Sequence, residues 1–175
     1  MRRSIAILAA GATLMGPMAG ATTYAADPVL FQGVFPAPLV DAAAMRSPAG
    51  ARFAAKLHVI NNSRDPVVLS AAAALTPELV DARGEATAPS GIVNARPAMR
   101  PRGATLAAGQ TLTLELSGRL RLSGGELRWR GDDGSAAAWK VDGAQRYSLR
   151  LRYQEDEAGA WRGVGLTHSV ALPIN

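Results

Sequence analysis

The sequence predicts an all-β protein, an antiparallel β-sandwich of about seven to nine short strands. Apolar and polar residues alternate with a period of two through most of the chain beyond residue 50. Turn signals built from Gly, Pro, Asn and Asp recur at about 8–12-residue intervals. No stretch carries a convincing amphipathic helical repeat. A closed barrel is the alternative that the same strands allow.

Residues 26–50 read as an extended, proline-rich lead-in with at most one edge strand, since Pro28, Pro36, Pro38 and Pro48 leave no sustained period. The alternation then begins. Phe53, Ala55, Leu57 and Val59 take one phase, and Arg52, Ala54, Lys56 and His58 the other. Asn61-Asn62-Ser63-Arg64-Asp65-Pro66 is a turn on composition, and Pro66-Val67-Val68-Leu69 opens the next strand. Ala71 to Ala74 prefers helix by propensity, but strand signals on both sides favour strand. A short strand and tight turn follow over 78–84, and 88–103 reads as a long connection.

The clearest strand has Leu112, Leu114 and Leu116 opposite Thr111, Thr113 and Glu115. Leu120 and Leu122 then alternate with Arg119 and Arg121. Gly124-Gly125 makes a hairpin turn into Leu127 and Trp129, which alternate with Arg128 and Arg130. A weaker alternation runs from Ala136 to Val141. Tyr147, Leu149, Leu151 and Tyr153 alternate with Ser148, Arg150 and Arg152, and 161–172 holds one bent or two short strands ended by Pro173. The expected core includes Leu57, Val59, Leu112, Leu114, Leu116, Trp129, Tyr147, Leu149, Leu151 and Trp161. This spacing is of immunoglobulin-like type.

The run Leu106-Ala107-Ala108-Gly109-Gln110, then Tyr147-Ser148-Leu149-Arg150-Leu151-Arg152-Tyr153, Trp161-Arg162-Gly163 and Ser169-Val170-Ala171-Leu172, resembles immunoglobulin-like β-sandwich domains of secreted and periplasmic bacterial proteins. Leu57-His58-Val59-Ile60-Asn61-Asn62 with Asp65-Pro66-Val67-Val68 is similar to their early strand and turn, and to the first domain of periplasmic pilus chaperones. The resemblance implies an exported β-sandwich over 51–175 and transfers no catalytic residue. The chain departs from it in a longer segment between Leu120 and Lys140 and in having no second domain of the chaperone kind.

Residues 1–25 read as a signal peptide. Arg2 and Arg3 precede an uncharged apolar run, Gly16-Pro17 breaks it, and Thr23-Tyr24-Ala25 offers a cleavage site that leaves Ala26 first. Ala19-Gly20-Ala21 is the runner-up site. The broken run is shorter than the ~20 residues that span a bilayer, so no stable membrane anchor is expected after cleavage. Arg2-Arg3-Ser4-Ile5 faintly resembles a twin-arginine signal without its usual flanks, which favours the general secretion route. The implied location is periplasmic or extracellular.

With no cysteine, neither a lipidated N-terminus nor disulfides can hold the chain, and burial alone must do so. Only nine residues are aromatic, so the core falls mainly to Leu, Val and Ile. Removing Arg2 and Arg3 lowers the net charge from +5 to +3, which alone implies no nucleic-acid partner. Val29-Leu30-Phe31-Gln32-Gly33 spells the cleavage site used with many expression tags, but it follows an export signal and reads as coincidence.

Catalytic chemistry finds little footing. His58 lies on the polar phase of its strand. His168 shares its phase with Val164, Leu166, Val170 and Leu172, which reads as a core or rim histidine. No Gly-x-Ser-x-Gly elbow accompanies it. Neither paired histidines nor an EF-hand loop suggests a metal, and no cofactor motif is present. Met45 and Met99 with the histidines have no copper-site spacing, and Asp132, Asp133 and Asp142 read as solvated turn residues. Glu155-Asp156-Glu157 reads as a solvated acidic turn.

One pattern stands apart. Arg119 and Arg121, Arg128 and Arg130, and Arg150 and Arg152 are three i, i+2 pairs, each on the outward phase of a strand. If those strands are neighbours, six guanidinium groups share one sheet face. The competing reading is a solvated face, its arginines paired to acids such as Glu115 and Glu126. The function expected is a non-enzymatic binding or structural accessory, with an anionic surface polymer or an exported protein as partner. The alternative is a small periplasmic inhibitor or chaperone using an edge strand, and an enzyme comes third.

Overall fold

The structure, a computed structural model, describes residues 24–26, 28–70, 73–91 and 104–174. The apolar run expected of an export signal, Ala71 and Ala72 of the stretch expected as strand over Ala71 to Ala74, and most of the 88–103 connection lie outside the described residues; Ala73 precedes the strand that Ala74 opens. The fold is predominantly β, and every strand pair is antiparallel.

Six strands make the largest sheet, in the spatial order β1 (Tyr24–Ala26), β2 (Val29–Val34), β3 (Ala51–Asn61), β7 (Thr111–Ser123), β8 (Glu126–Gly131) and β9 (Ala136–Lys140). In the second sheet β10 (Tyr147–Glu155) is central, with β5 (Ala74–Val80) on one side. Its other side takes β11 (Gly163–Leu166) and β12 (Val170–Leu172) one after the other. A small pair joins β4 (Val67–Leu69) to β6 (Ala104–Leu106).

The alternation that predicted the strands is the alternation that buries them. Along β3, Ala51, Phe53, Ala55, Leu57 and Val59 are buried, while Arg52, Ala54 and Lys56 are exposed. β10 buries Tyr147, Leu149, Leu151 and Tyr153. These side chains join those of β2, β5, β7, β8 and β9 in one continuous core. Burying a leucine of this kind is worth about 1.5–3 kcal/mol, repeated strand after strand. Of the expected core, Leu112 and Trp161 are only partly buried, and the other eight residues are buried.

β7 is one strand of 13 residues, continuous through Gly118. That glycine falls on the buried phase, where a Cβ would lie 2.6 Å from the Trp129 ring. The missing side chain makes room for the indole, which meets Phe53 edge to face at 5.4 Å. Gly124 and Gly125, both at positive φ, form the two-residue turn that holds Ser123 opposite Glu126.

The lead-in differs from expectation. β2 is not an edge: it pairs with β1 on one side and β3 on the other. Its tag-like residues Val29 and Phe31 are fully buried. α1 (Ala42–Arg46) is a short helix. Asp41 caps it, accepting a hydrogen bond from the Ala44 N–H at 2.6 Å, and Met45 anchors it in the core. Three alanines behind Asp41 supply the propensity, in a stretch too short for a helical period. β5 also begins before residue 78 and carries Pro77 in its interior. Glu155 is the other difference. It is 1% exposed and accepts from the Ser70 N–H at 2.8 Å and the Ser70 hydroxyl at 2.6 Å, so it is no solvated turn residue.

Candidate functional site

The hairpin of β7 and β8 sets four of the six arginines face to face. Arg119 lies directly opposite Arg130, and Arg121 opposite Arg128. The Asp132 N–H donates to the Ser117 carbonyl at 2.9 Å, marking 117 and 132 as a hydrogen-bonded pair. By alternation both arginine pairs occupy hydrogen-bonded positions, with Cα atoms about 5.5 Å apart. All four side chains are exposed. Rows two residues apart on a strand are about 6.8 Å apart, so the four Cα atoms form a compact rectangle.

Neighbouring strands extend it. Arg52 of β3 stands opposite Arg119, giving a row of three arginines across three strands. Its polar phase was legible in the sequence, but its neighbour was not. Lys56 and Lys140 are further exposed cations on the outer phases of β3 and β9. Three carboxylates answer them: Asp132 to Arg52 at 2.9 Å, Glu115 to Lys56 at 3.2 Å and Glu126 to the Arg128 Nε at 2.6 Å. Arg119 reaches only the Ala49 carbonyl, at 3.4 Å. Among the described residues, the Arg121 and Arg130 side chains have no hydrogen-bonding or ionic partner. Like charges directly opposed on antiparallel strands destabilise a sheet, and of the four arginines only Arg128 has a carboxylate partner, Glu126.

Arg150 and Arg152 do not join the patch. Both lie on β10, in the second sheet, opposite Glu78 and Thr76 of β5. Glu78 takes both: its carboxylate lies 2.6 Å from the Arg150 Nε and 3.6 Å from Arg152. Gln154 accepts from Arg152 at 3.0 Å. The six-arginine face is therefore a four-arginine face plus a separate clamp of two arginines on one carboxylate. The i, i+2 spacing is the same, and the sheet assignment differs.

A second concavity involves His168. It lines an apolar groove of about 780 Å³ with Phe35, Leu39, Val170 and Leu172. Its ring meets Phe35 edge-on at 5.1 Å, and its Nδ1 is buried without a hydrogen-bond partner. Burial lowers its pKa from the ordinary 6.5, because desolvation disfavours the imidazolium. His58 lies elsewhere, its Nδ1 2.9 Å from the Thr113 hydroxyl.

Among the described residues no group of three His, Cys, Asp or Glu could hold a metal. Met45 is buried in the core, and Met99 lies outside the described residues. Asp132 is engaged by Arg52 and Ser117, and Asp133 accepts from the Ser135 N–H. No described helix is long and apolar enough to cross a membrane. No protein-family model, curated protein or solved structure matches the chain.

Proposed function

We propose that the protein is an exported, non-enzymatic immunoglobulin-like β-sandwich that binds a polyanion through the outer face of the β3, β7 and β8 strands. One observation carries this reading: the two opposed arginine pairs, Arg119 with Arg130 and Arg121 with Arg128, of which only Arg128 has a carboxylate partner, Glu126, among the described residues. Guanidinium forks match phosphate and carboxylate geometry in two-point contacts. An anion lying across the hairpin would relieve the repulsion within each pair and gain a bidentate contact from each side. Arg52 lengthens one row, so the ligand suited to this face presents several anionic groups in succession. A binding role, rather than a catalytic one, also fits His168, whose Nδ1 is coupled to no nucleophile.

For an exported protein, phosphate- and carboxylate-bearing polymers of the cell surface supply that chemistry. The test is a binding titration of the protein as recovered from the host. It uses lipopolysaccharide, a polyuronate and double-stranded DNA in parallel, from about 50 to 200 mM salt, a range over which counterion release weakens polyanion binding. Four arginine contacts at a slope near −0.9 per phosphate predict a loss on the order of a hundredfold for DNA across that range. The three polymers separate phosphate from carboxylate preference. Binding that ignores salt, or no binding to any of them, would refute the reading.

A further inference from the structure

The arginine face carries an anion of its own. Asp132 follows β8, and its backbone N–H donates to the Ser117 carbonyl at 2.9 Å. The Ser117 hydroxyl donates to its Oδ2 at 2.7 Å. These two contacts hold the carboxylate on the outer face, one row beyond Arg119 and Arg130. From there it spans β7 to Arg52 of β3 and sets both oxygens on the guanidinium fork. Oδ2 lies 2.9 Å from Nη2, and Nη1 donates to Oδ1 at 3.3 Å. That is the two-point contact a carboxylate or phosphate of a ligand would make.

The rest of the row, Arg119 and Arg130, meets no acid. Outside the described residues the one acid is Asp27. The sequence places it between β1 and β2, strands that β3 separates from the hairpin. The row Arg52, Arg119 and Arg130 is therefore two open guanidinium groups and one that is occupied. The occupant is tethered, so it competes at a high effective concentration that no dissolved anion matches easily. It is also exposed: the Arg52 and Asp132 side chains are 61% and 46% accessible. Exposed pairs of this kind contribute little stability, so removing the carboxylate frees Arg52 without unsettling the sheet.

We propose that Asp132 is a built-in competitor of the polyanion: its carboxylate withholds Arg52, so that the ligand engages the hairpin arginines while the third arginine of the row stays occupied. The proposal rests on the reading of this face as a polyanion site. Asp132 acts on that site twice. It removes one cation from the row, and it sets a negative charge where an extended ligand would continue. Taking the carboxylate away then adds one whole ionic contact, an effect distinct from a general change in net charge.

The test uses the whole protein recovered from the host, each variant checked for cooperative unfolding. Double-stranded DNA is the probe, titrated from about 50 to 200 mM salt. Asp132→Asn keeps an acceptor for the Ser117 hydroxyl and loses the charge that holds Arg52. It should bind more tightly at low salt, and one added contact should steepen the slope of log K against log salt by about 0.9. Across that range the steeper slope is an extra loss of about three- to fourfold. Asp133→Asn makes the same change in net charge one residue away. Its carboxylate accepts from the Ser135 N–H and, among the described residues, pairs with no cation, so the slope should stay at the wild-type value. Combining Asp132→Asn with Arg52→Gln should return the slope to that value too. An unchanged slope in Asp132→Asn overturns the proposal, as does equal steepening in Asp133→Asn or steepening that survives Arg52→Gln. In each of these cases salt-dependent binding by the wild type leaves the polyanion reading standing. Failure of the wild type and all variants to bind overturns both.

Discussion

The β7–β8 hairpin and the β10 strand carry the same sequence device, arginines two residues apart on the outward phase, and the fold gives them opposite fates. On the hairpin each arginine faces another arginine across the ladder. On β10 the partner strand is β5, which presents Glu78, and that half-buried carboxylate holds both cations. Whether a row of arginines faces solvent or is held by a carboxylate is decided by the neighbouring strand. Strand pairing is set by long-range register, so the local pattern alone could not make the distinction.

The largest expected effect tests the face assignment itself. Leu120 sits between Arg119 and Arg121 on the same strand and is fully buried. Leu120→Ala should cost about 2–5 kcal/mol in chemical unfolding, while Arg121→Gln leaves the midpoint nearly unchanged. Comparable costs at the two positions would break the assignment of inner and outer faces.

Next comes the clamp. Glu78→Ala strips the shared carboxylate from Arg150, whose side chain is only 20% exposed. A buried charge left without its partner costs about 1–3 kcal/mol, and urea midpoints should show it. No loss of stability would mean that β10 carries a surface ion pair like any other, and the contrast with the hairpin would vanish.

A smaller effect belongs to the groove. Burial depresses the His168 pKa below 6.5, so the folded chain refuses a proton that the unfolded chain accepts. Its contribution to stability is full above pH 6.5 and is lost as pH falls towards the depressed folded value. His168→Gln should flatten that part of the decline between about pH 7 and 5. An unaltered profile would show that the imidazole is solvated. The smallest effect is a gain: Arg119→Gln removes two opposed like-charge pairs, with Arg130 and with Arg52, and should raise stability by a few tenths of a kcal/mol at low salt.

Much of the fold was legible because burial here follows a period of two. The alternation in β3, β7, β8 and β10 marks inside and outside residue by residue, and Gly124-Gly125 announces its hairpin. The lead-in hid its structure. Val29 and Phe31 alternate over too few residues between prolines to show a period, and α1 rests on a cap and three alanines. Nothing in the local pattern accounts for Gly118, whereas Trp129 across the ladder does. Glu155 read as solvent-exposed because the Ser70 groups that receive it lie 85 positions away. Half of the candidate site was readable. The hairpin turn ties Arg119 and Arg121 to Arg128 and Arg130 locally, whereas the companion of Arg150 and Arg152 depends on a distant strand. The His168 groove was readable only as an inward-facing histidine, since its walls come from β2, the 35–42 segment that follows it and the chain after β11.

The most direct measurement compares two arginine-to-glutamine variants with the wild type for retention on an anionic polymer at low salt, each verified as folded. One variant replaces Arg119, Arg121, Arg128 and Arg130, and the other replaces Arg150 and Arg152. The four-fold variant should lose retention, and the double variant should keep it while unfolding at lower denaturant. Equal retention by the folded four-fold variant, or loss confined to the double variant, would contradict the account.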